Sequence, residues 1–426
     1  MNNGKQMVTW AKGSNIYEVN IRQYTVEGTF KAFAQHLPRL KDMGVEIIWL
    51  MPVTPISQLK RLGSLGSYYA CSSYTAINPE FGTMDDFLSL VLAVHNLGMK
   101  IIIDWVANHT GADHHWSVEH PEWYKKDSIG NFAELNGWKD VIHLDYTKTD
   151  MRAEMIKSMK FWIELGGVDG FRCDMAHLVP LDFWLGARSE CDASKPLFWL
   201  AECDQVEYHE AFDVSYAWEW MHVTEKMVKG YASISQMKDV LFKYSNYPKG
   251  ALKLYFTSNH DENTWNGTEY EKYQGAARAF AVFTQTWPGM PLIYSGQELP
   301  NVKRLKFFDK DQIDWKPNIV LHNFYKTLLG LRKSHTCLQG DPDANVYILP
   351  TQMDDKIFAY FLSDEKSKVL VLLNFSQSDK LRFTVDHAEL AGAYTNIISG
   401  LEYNFKQQED FEMQAWEFAV YAGRGL

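Results

Sequence analysis

At 426 residues the chain is long enough for two or three domains of ordinary size. Its net charge of −11, with acids and bases interspersed and no Lys/Arg-rich run, argues against nucleic acid or an anionic membrane surface as partner. Aromatics at 14%, with 15 Trp and 22 Tyr, exceed what a core needs, and such rings suit neutral, hydroxyl-rich ligands.

The start, MNNGKQMVTWAKG, lacks the regions of a signal peptide, and no run of about 18 apolar residues spans a membrane, so a cytoplasmic location is expected. From residue 14 to about 333, short β-rich runs alternate with amphipathic segments. SNIYEVNI (14–21) is the first predicted strand. Phe30, Phe33, Ala34, Leu37 and Leu40 then recur at helical spacing behind Thr29 as N-cap. A second strand, EIIWLMP (46–52), precedes a helix over 85–97, and KIIIDWV (100–106) is the third strand. Residues 108–146 break the rhythm, and an irregular stretch of that length inside a compact domain points to an inserted functional subdomain.

A helix over 151–166 leads to the fourth strand, GVDGFRCD (167–174). FWLAE (198–202), FDVSYAW (212–218), KLYFTSNHD (253–261) and MPLIYSG (290–296) complete eight strands, with helices over 274–286 and 318–333. Eight strands alternating with helices predict an α/β fold, a (β/α)8 barrel, in residues 1–106 and 147–338, with a subdomain at 107–146. Beyond residue 339, six short β-rich runs separated by turn residues predict a C-terminal antiparallel β-sandwich domain over 339–426. The five cysteines are scattered and odd in number, which suits reduced, buried thiols rather than a disulfide framework or a zinc site.

In such a barrel the reactive groups sit where strands end. Asp104 and Asn108-His109 close the third strand, Arg172 and Asp174 the fourth, Glu202 the fifth, and Asn259-His260-Asp261 the seventh. Arg172 and Asp174 are two apart and share a face, which sets a carboxylate beside a permanent cation. That arrangement is either a structural ion pair or a nucleophile kept ionised. Glu202 emerges from the apolar run Phe198–Ala201, an environment that would hold its carboxyl protonated. Two carboxylates with opposed environments imply two roles.

The set Asp-x-x-x-Asn-His, Gly-x-Arg-x-Asp, strand-end Glu and Asn-His-Asp, in this order, resembles the motifs of the α-amylase family, glycoside hydrolase family 13. The resemblance covers the whole chain and includes Gly66-Ser-Tyr-Tyr69 and the stretch that follows it. It implies Asp174 as nucleophile, Glu202 as general acid/base and Asp261 as stabiliser of the transition state. It further implies sugar contacts from His109 and His260 and stacking on Tyr69. Asp104 and Arg172 are read as supporting residues, Trp265 as either a contact to a neighbouring sugar or simple packing, and His177 as either a subsite contact or a ligand. Calcium-dependent members use the asparagine here numbered Asn108. His177 lies one position early for the histidine carbonyl of that shell, so calcium is possible but not required, and no redox cofactor is implied. The implied activity is retaining hydrolysis of α-1,4-glucosidic bonds in starch, glycogen or maltooligosaccharides. Transglycosylation, hydrolysis of sucrose, trehalose or α-1,6 links, and a noncatalytic carbohydrate-binding barrel stand as alternatives.

Overall fold

The computed structural model describes residues 7–340 and 344–424; the first six residues, part of the N-terminal stretch assessed above, lie outside it. Eight strands form a closed parallel barrel: β1 (Ile16–Val19), β2 (Ile47–Leu50), β3 (Lys100–Trp105), β4 (Gly170–Cys173), β5 (Phe198–Ala201), β6 (Val214–Tyr216), β7 (Leu252–Tyr255) and β8 (Met290–Tyr294). They follow one another around the barrel in chain order. All eight predicted strands are present, each trimmed by a few residues at its ends. All but the first residue of β3 are buried, because parallel strands flanked by helices are apolar on both faces.

Local signals explain the helices. Thr83 caps the helix Met84–Asn96 in a reciprocal capping box with Asp86, and Phe87, Leu90, Val91 and Val94 form its buried stripe. The predicted helix after β1 is broken into Phe30–Ala34 and Leu37–Met43. Pro38 opens the second piece, where its missing N–H costs no helical hydrogen bond. Gly170 in β4 is required by packing: a Cβ there would lie 2.1 Å from the Phe198 carbonyl oxygen of β5.

The chain divides into two compact units. The first comprises Met1–Ala11, Ile16–Ser215 and Lys303–Asp314; the second comprises Lys12–Asn15, Tyr216–Val302 and Trp315–Leu426. In the first, an irregular segment follows β3, anchored by an antiparallel ribbon that pairs His109–Gly111 with Val141–His143. In the second, eight further strands are β9 (Asn345–Leu349), β10 (Ile357–Ser363), β11 (Ser367–Asn374), β12 (Leu381–Asp386), β13 (Gly392–Asn396), β14 (Glu402–Phe405), β15 (Gln408–Met413) and β16 (Phe418–Arg424). They form a six-stranded sheet, β9-β10-β11-β16-β13-β14, and a two-stranded sheet, β12-β15. β10 and β11 are buried along their whole length. Ile357, Ala359, Phe361, Leu370 and Leu372 face a core shared with Phe383 and Val385 of β12. On the opposite face, Phe358 and Tyr360 meet Phe283 and Trp287 at the end of the helix Ala277–Thr286. β14 and β15 were not anticipated, because their polar, half-exposed sequence carries little β signal.

No helix among the described residues is long and apolar enough to cross a membrane. All five cysteines are buried thiols.

Candidate active site

Parallel pairing sets Asp104 of β3 directly beside Arg172 of β4. The Arg172 Nη1 donates to both Asp104 oxygens, at 2.9 and 3.1 Å, and to Asp174 Oδ1 at 3.1 Å. Its Nη2 lies 2.8 Å from Glu202 Oε2. One fully buried guanidinium thus contacts three carboxylates from three consecutive strands. Burying such a cation would cost several kcal/mol unpaired; here the acids compensate it and it fixes their positions. Trp49 supplies a ring face 5.0 Å from the guanidinium carbon. The apolar setting expected for Glu202 is therefore corrected: its side chain also meets a cation and the Met175 N–H, which donates to Oε2 at 2.9 Å.

That amide is delivered by strain. Met175, immediately after Asp174, adopts φ +40° and ψ +46°, a left-handed conformation that costs an L-residue about 1–2 kcal/mol. The turn aims its N–H across to Glu202, and the Ala176 N–H bonds the Glu202 carbonyl at 3.2 Å. Strained backbone beside reacting groups is a recurrent feature of active sites. Nothing in the sequence signals it, since methionine has no left-handed preference.

Tyr69 stands on the long loop after β2 and donates its hydroxyl to Asp104 Oδ2 at 3.0 Å. Arg22 holds that loop. Fully buried, it forms a two-pronged pair with Glu80 at 2.7 and 2.8 Å, donates to the Leu65 and Gly66 carbonyls, and lies 4.2 Å above the Tyr68 ring. Sequence reasoning missed Arg22 and Trp49, which sit within ordinary strand and helix patterns.

Asn108 directs its amide nitrogen to Nδ1 of both His109 and His143, each at 3.1 Å. Desolvation, reinforced by His143, pushes His109 down to about 3, while a hydrogen bond with the Tyr69 backbone opposes that shift. His109 is therefore a neutral ring in the physiological range. The same holds for His114, buried at the N-cap of the helix His115–Glu119, where its Nδ1 accepts from the Trp116 N–H at 3.1 Å. Desolvation and then His115 push it to about 3, against the opposing pull of Asp113. The unfolded chain binds a proton at such a histidine below about pH 6.5, and the folded protein does not until about 3. Stability is therefore lost as pH falls through that window. His114→Asn keeps a good N-cap and removes the titration, so its Tm is expected to fall less steeply than the parent's between pH 6.5 and 4; identical slopes in thermal melts would refute this.

His177 lies in the short 3-10 turn Ala176–Leu178, with its carbonyl accepting from the Tyr208 hydroxyl at 3.2 Å. Calcium takes six to eight oxygen ligands. The Asn108 amide nitrogen is turned toward imidazoles, the His177 carbonyl is already engaged, and the described residues contain no group of three or more His, Cys, Asp or Glu that could hold a metal.

In the second compact unit, Asn259-His260-Asp261 follows β7. His260 is buried, and its Nε2 lies 3.2 Å from Asp261 Oδ2, whose side chain is 38% exposed. A π-helical turn, Glu262–Asn266, comes next and carries Trp265, 53% exposed. The Glu262 side chain pairs with the buried Lys272. The buried Thr257 hydroxyl donates to Glu269 at 2.5 Å. Wide turns of this kind are frequent at functional sites.

An eight-stranded parallel barrel with acids clustered at the ends of β3, β4 and β5 has the architecture of a barrel enzyme, whose active sites lie on the loop-bearing rim. A family model described as the α-amylase catalytic domain matches residues 3–133 and 119–316, and the chain belongs to the α-amylase family. It is 26% identical over 388 residues to the α-amylase MalA of Haloarcula japonica, a match covering 86% of this chain and 56% of that protein. It is also 26% identical over 452 residues to α-amylase 3 of Dictyoglomus thermophilum, with 86% of each chain covered. The chain thus spans little more than half the length of MalA. Among solved structures, the noncanonic maltogenic α-amylase AmyB of Thermotoga neapolitana superposes with a TM-score of 0.90 at 27% identity, covering 98% of this chain and 100% of that one. An α-amylase from Lactobacillus plantarum gives 0.87 at 28% identity, with 97% and 100% covered.

Proposed function

We propose that the protein is a retaining glycoside hydrolase acting on α-1,4-glucosidic bonds of starch, glycogen or maltooligosaccharides. The observation that carries this reading is the contact of one buried guanidinium with Asp104, Asp174 and Glu202. A cation shared by the two reacting acids favours the short carboxylate separation, about 5 to 5.5 Å, of retaining enzymes over the wider gap that inversion needs. Family membership and the α-amylase relatives support the substrate class.

In the first step the Asp174 carboxylate attacks the anomeric carbon while Glu202 gives its proton to the departing glycosidic oxygen. The products are a β-linked ester on Asp174 and a free 4-hydroxyl on the leaving chain. In the second, Glu202 takes a proton from water, the oxygen of that water attacks the anomeric carbon, and Asp174 leaves as carboxylate. Arg172, held by Asp104, orients Asp174. Asp261 is assigned the stabilising role on its motif, Tyr69 the stacking contact, and His109, His260, His177 and Trp265 the surrounding binding contacts. Neither step uses calcium or a redox cofactor.

The test is the configuration of the nascent sugar. Proton NMR during hydrolysis of maltoheptaose is expected to show the α-anomer before mutarotation; a β-anomer appearing first would refute the mechanism. Transfer to a sugar acceptor instead of water is the second reading. It is favoured by 25% identity over 314 residues, 68% of this chain, to the α-1,4-glucan:maltose-1-phosphate maltosyltransferase of Mycolicibacterium smegmatis.

A further inference from the structure

The segment Lys303–Asp314, which follows β8 in sequence but belongs to the first compact unit, has no regular secondary structure and is nonetheless stapled along its length. The Leu65 N–H donates to the Phe308 carbonyl at 2.9 Å, and Ser64 donates to Asp309 Oδ1 from its amide at 2.9 Å and its hydroxyl at 2.6 Å. Gln23 bonds the Lys306 carbonyl at 2.8 Å, and the Ile313 N–H bonds the Gln23 carbonyl at 2.9 Å. Gly63, at φ +61°, permits the approach: a Cβ there would lie 2.5 Å from the Phe308 Cβ. The staples press Phe307 against the loop of Tyr69. The two rings are within 17° of parallel with centroids 6.3 Å apart, and Phe307 also meets Tyr68 edge-on at 5.5 Å. Tyr69 and Phe307 are each only 8% exposed.

Position around the barrel gives this contact a direction. Glu202 follows β5, Asp174 follows β4, Asp104 ends β3, and Tyr69 lies on the loop after β2, so the groups run in that order along the rim. The leaving chain departs on the side of the acid, Glu202. On the reading above, a sugar attached to the other end of the captured ring extends past Tyr69 on the side where Phe307 packs.

We propose that Phe307 is a specificity-determining residue whose strap walls off the far side of the Tyr69 site, so that the protein works from chain ends and releases short units. The proposal rests on Tyr69 as the stacking ring of the reading above. A wall of packed aromatics held by hydrogen bonds at both ends does not open for the cost of one sugar contact, and a site closed on that side accepts few units beyond the cleaved bond.

Maltoheptaose and the same oligosaccharide with a bulky cap on its non-reducing end separate the possibilities. The parent protein is expected to hydrolyse the free form at least about tenfold faster than the capped one. Phe307→Ala is expected to shrink that ratio to about threefold or less and to shift products toward longer units. Asp309→Ala, at an exposed staple whose loss leaves the core intact, is expected to give an intermediate ratio. Equal rates of the parent on both substrates, or an unchanged ratio in both variants, would overturn the proposal while leaving the hydrolase reading standing. Absence of hydrolysis of either substrate by the parent would overturn both.

Discussion

Asp174→Asn is expected to lower kcat on maltoheptaose by about 10⁴-fold or more, equivalent to ~5.5 kcal/mol of transition-state stabilisation. The amide has the same shape, and its carbonyl oxygen can still accept from Arg172 Nη1, 3.1 Å from Asp174 Oδ1 in the parent. What is lost is the charge and the nucleophilic lone pair that forms the ester. Asp104 continues to hold Nη1 at 2.9 and 3.1 Å, so the guanidinium stays paired and the barrel should remain folded. Circular dichroism and thermal melts check the fold, while reducing-sugar release checks the rate. In the parent, a fluorinated glycosyl fluoride that slows the second step should leave its label on Asp174 by peptide mass spectrometry. Turnover within tenfold of the parent, or a label on another residue, would remove Asp174 from the mechanism.

Glu202→Gln separates the two halves of the reaction. Loss of proton donation should lower turnover of maltoheptaose by a comparable factor, again about 10⁴. An α-glucosyl fluoride needs no protonation of its leaving group, so its first step should be far less affected. Water attack still lacks a base, so the ester should accumulate. Azide, which needs no base, should restore turnover and give an α-glycosyl azide by displacing the β-linked ester. The Met175 N–H and Arg172 Nη2, 2.9 and 2.8 Å from Oε2, leave the glutamine oxygen a place and its nitrogen none on that side, so a single orientation is expected. Equal losses on both substrates, with no effect of azide, would mean that Glu202 positions rather than reacts.

Both variants depend on Arg172, whose full role could not be seen in the sequence. The alternation along GVDGFRCD put Arg172 and Asp174 on one face, and that local geometry is what the structure shows. The reach from β4 to both neighbouring strands depends on the barrel's stagger, which sets Asp104 opposite Arg172 and Leu200 opposite it on the other side. Glu202, two residues beyond Leu200, then falls within range of the long guanidinium. In the sequence, Glu202 follows the apolar run Phe198–Ala201. The same limit applies to Asn108, for which the family resemblance implied a possible calcium contact. In the folded protein it faces two imidazoles, one contributed from 35 residues away by the ribbon that pairs His109 with His143.

The barrel, the candidate acids and the β-rich C-terminal domain were legible because their signals are local. Apolar runs of strand length, stripes at helical spacing and polar residues at the ends of apolar runs depend on neighbours within a few positions. Long-range packing set the rest. The left-handed turn at Met175 is forced by tertiary contacts on a residue with no preference for it. The ion pair of Arg172 with Asp104 joins residues 68 apart in the chain, and the hydrogen bond from Met175 to Glu202 joins residues 27 apart. The strap brings Phe307 and Phe308 to a loop some 240 positions earlier, through staples such as Ser64 to Asp309. Such contacts follow from shape and register once the barrel has closed, and no window of sequence contains both partners.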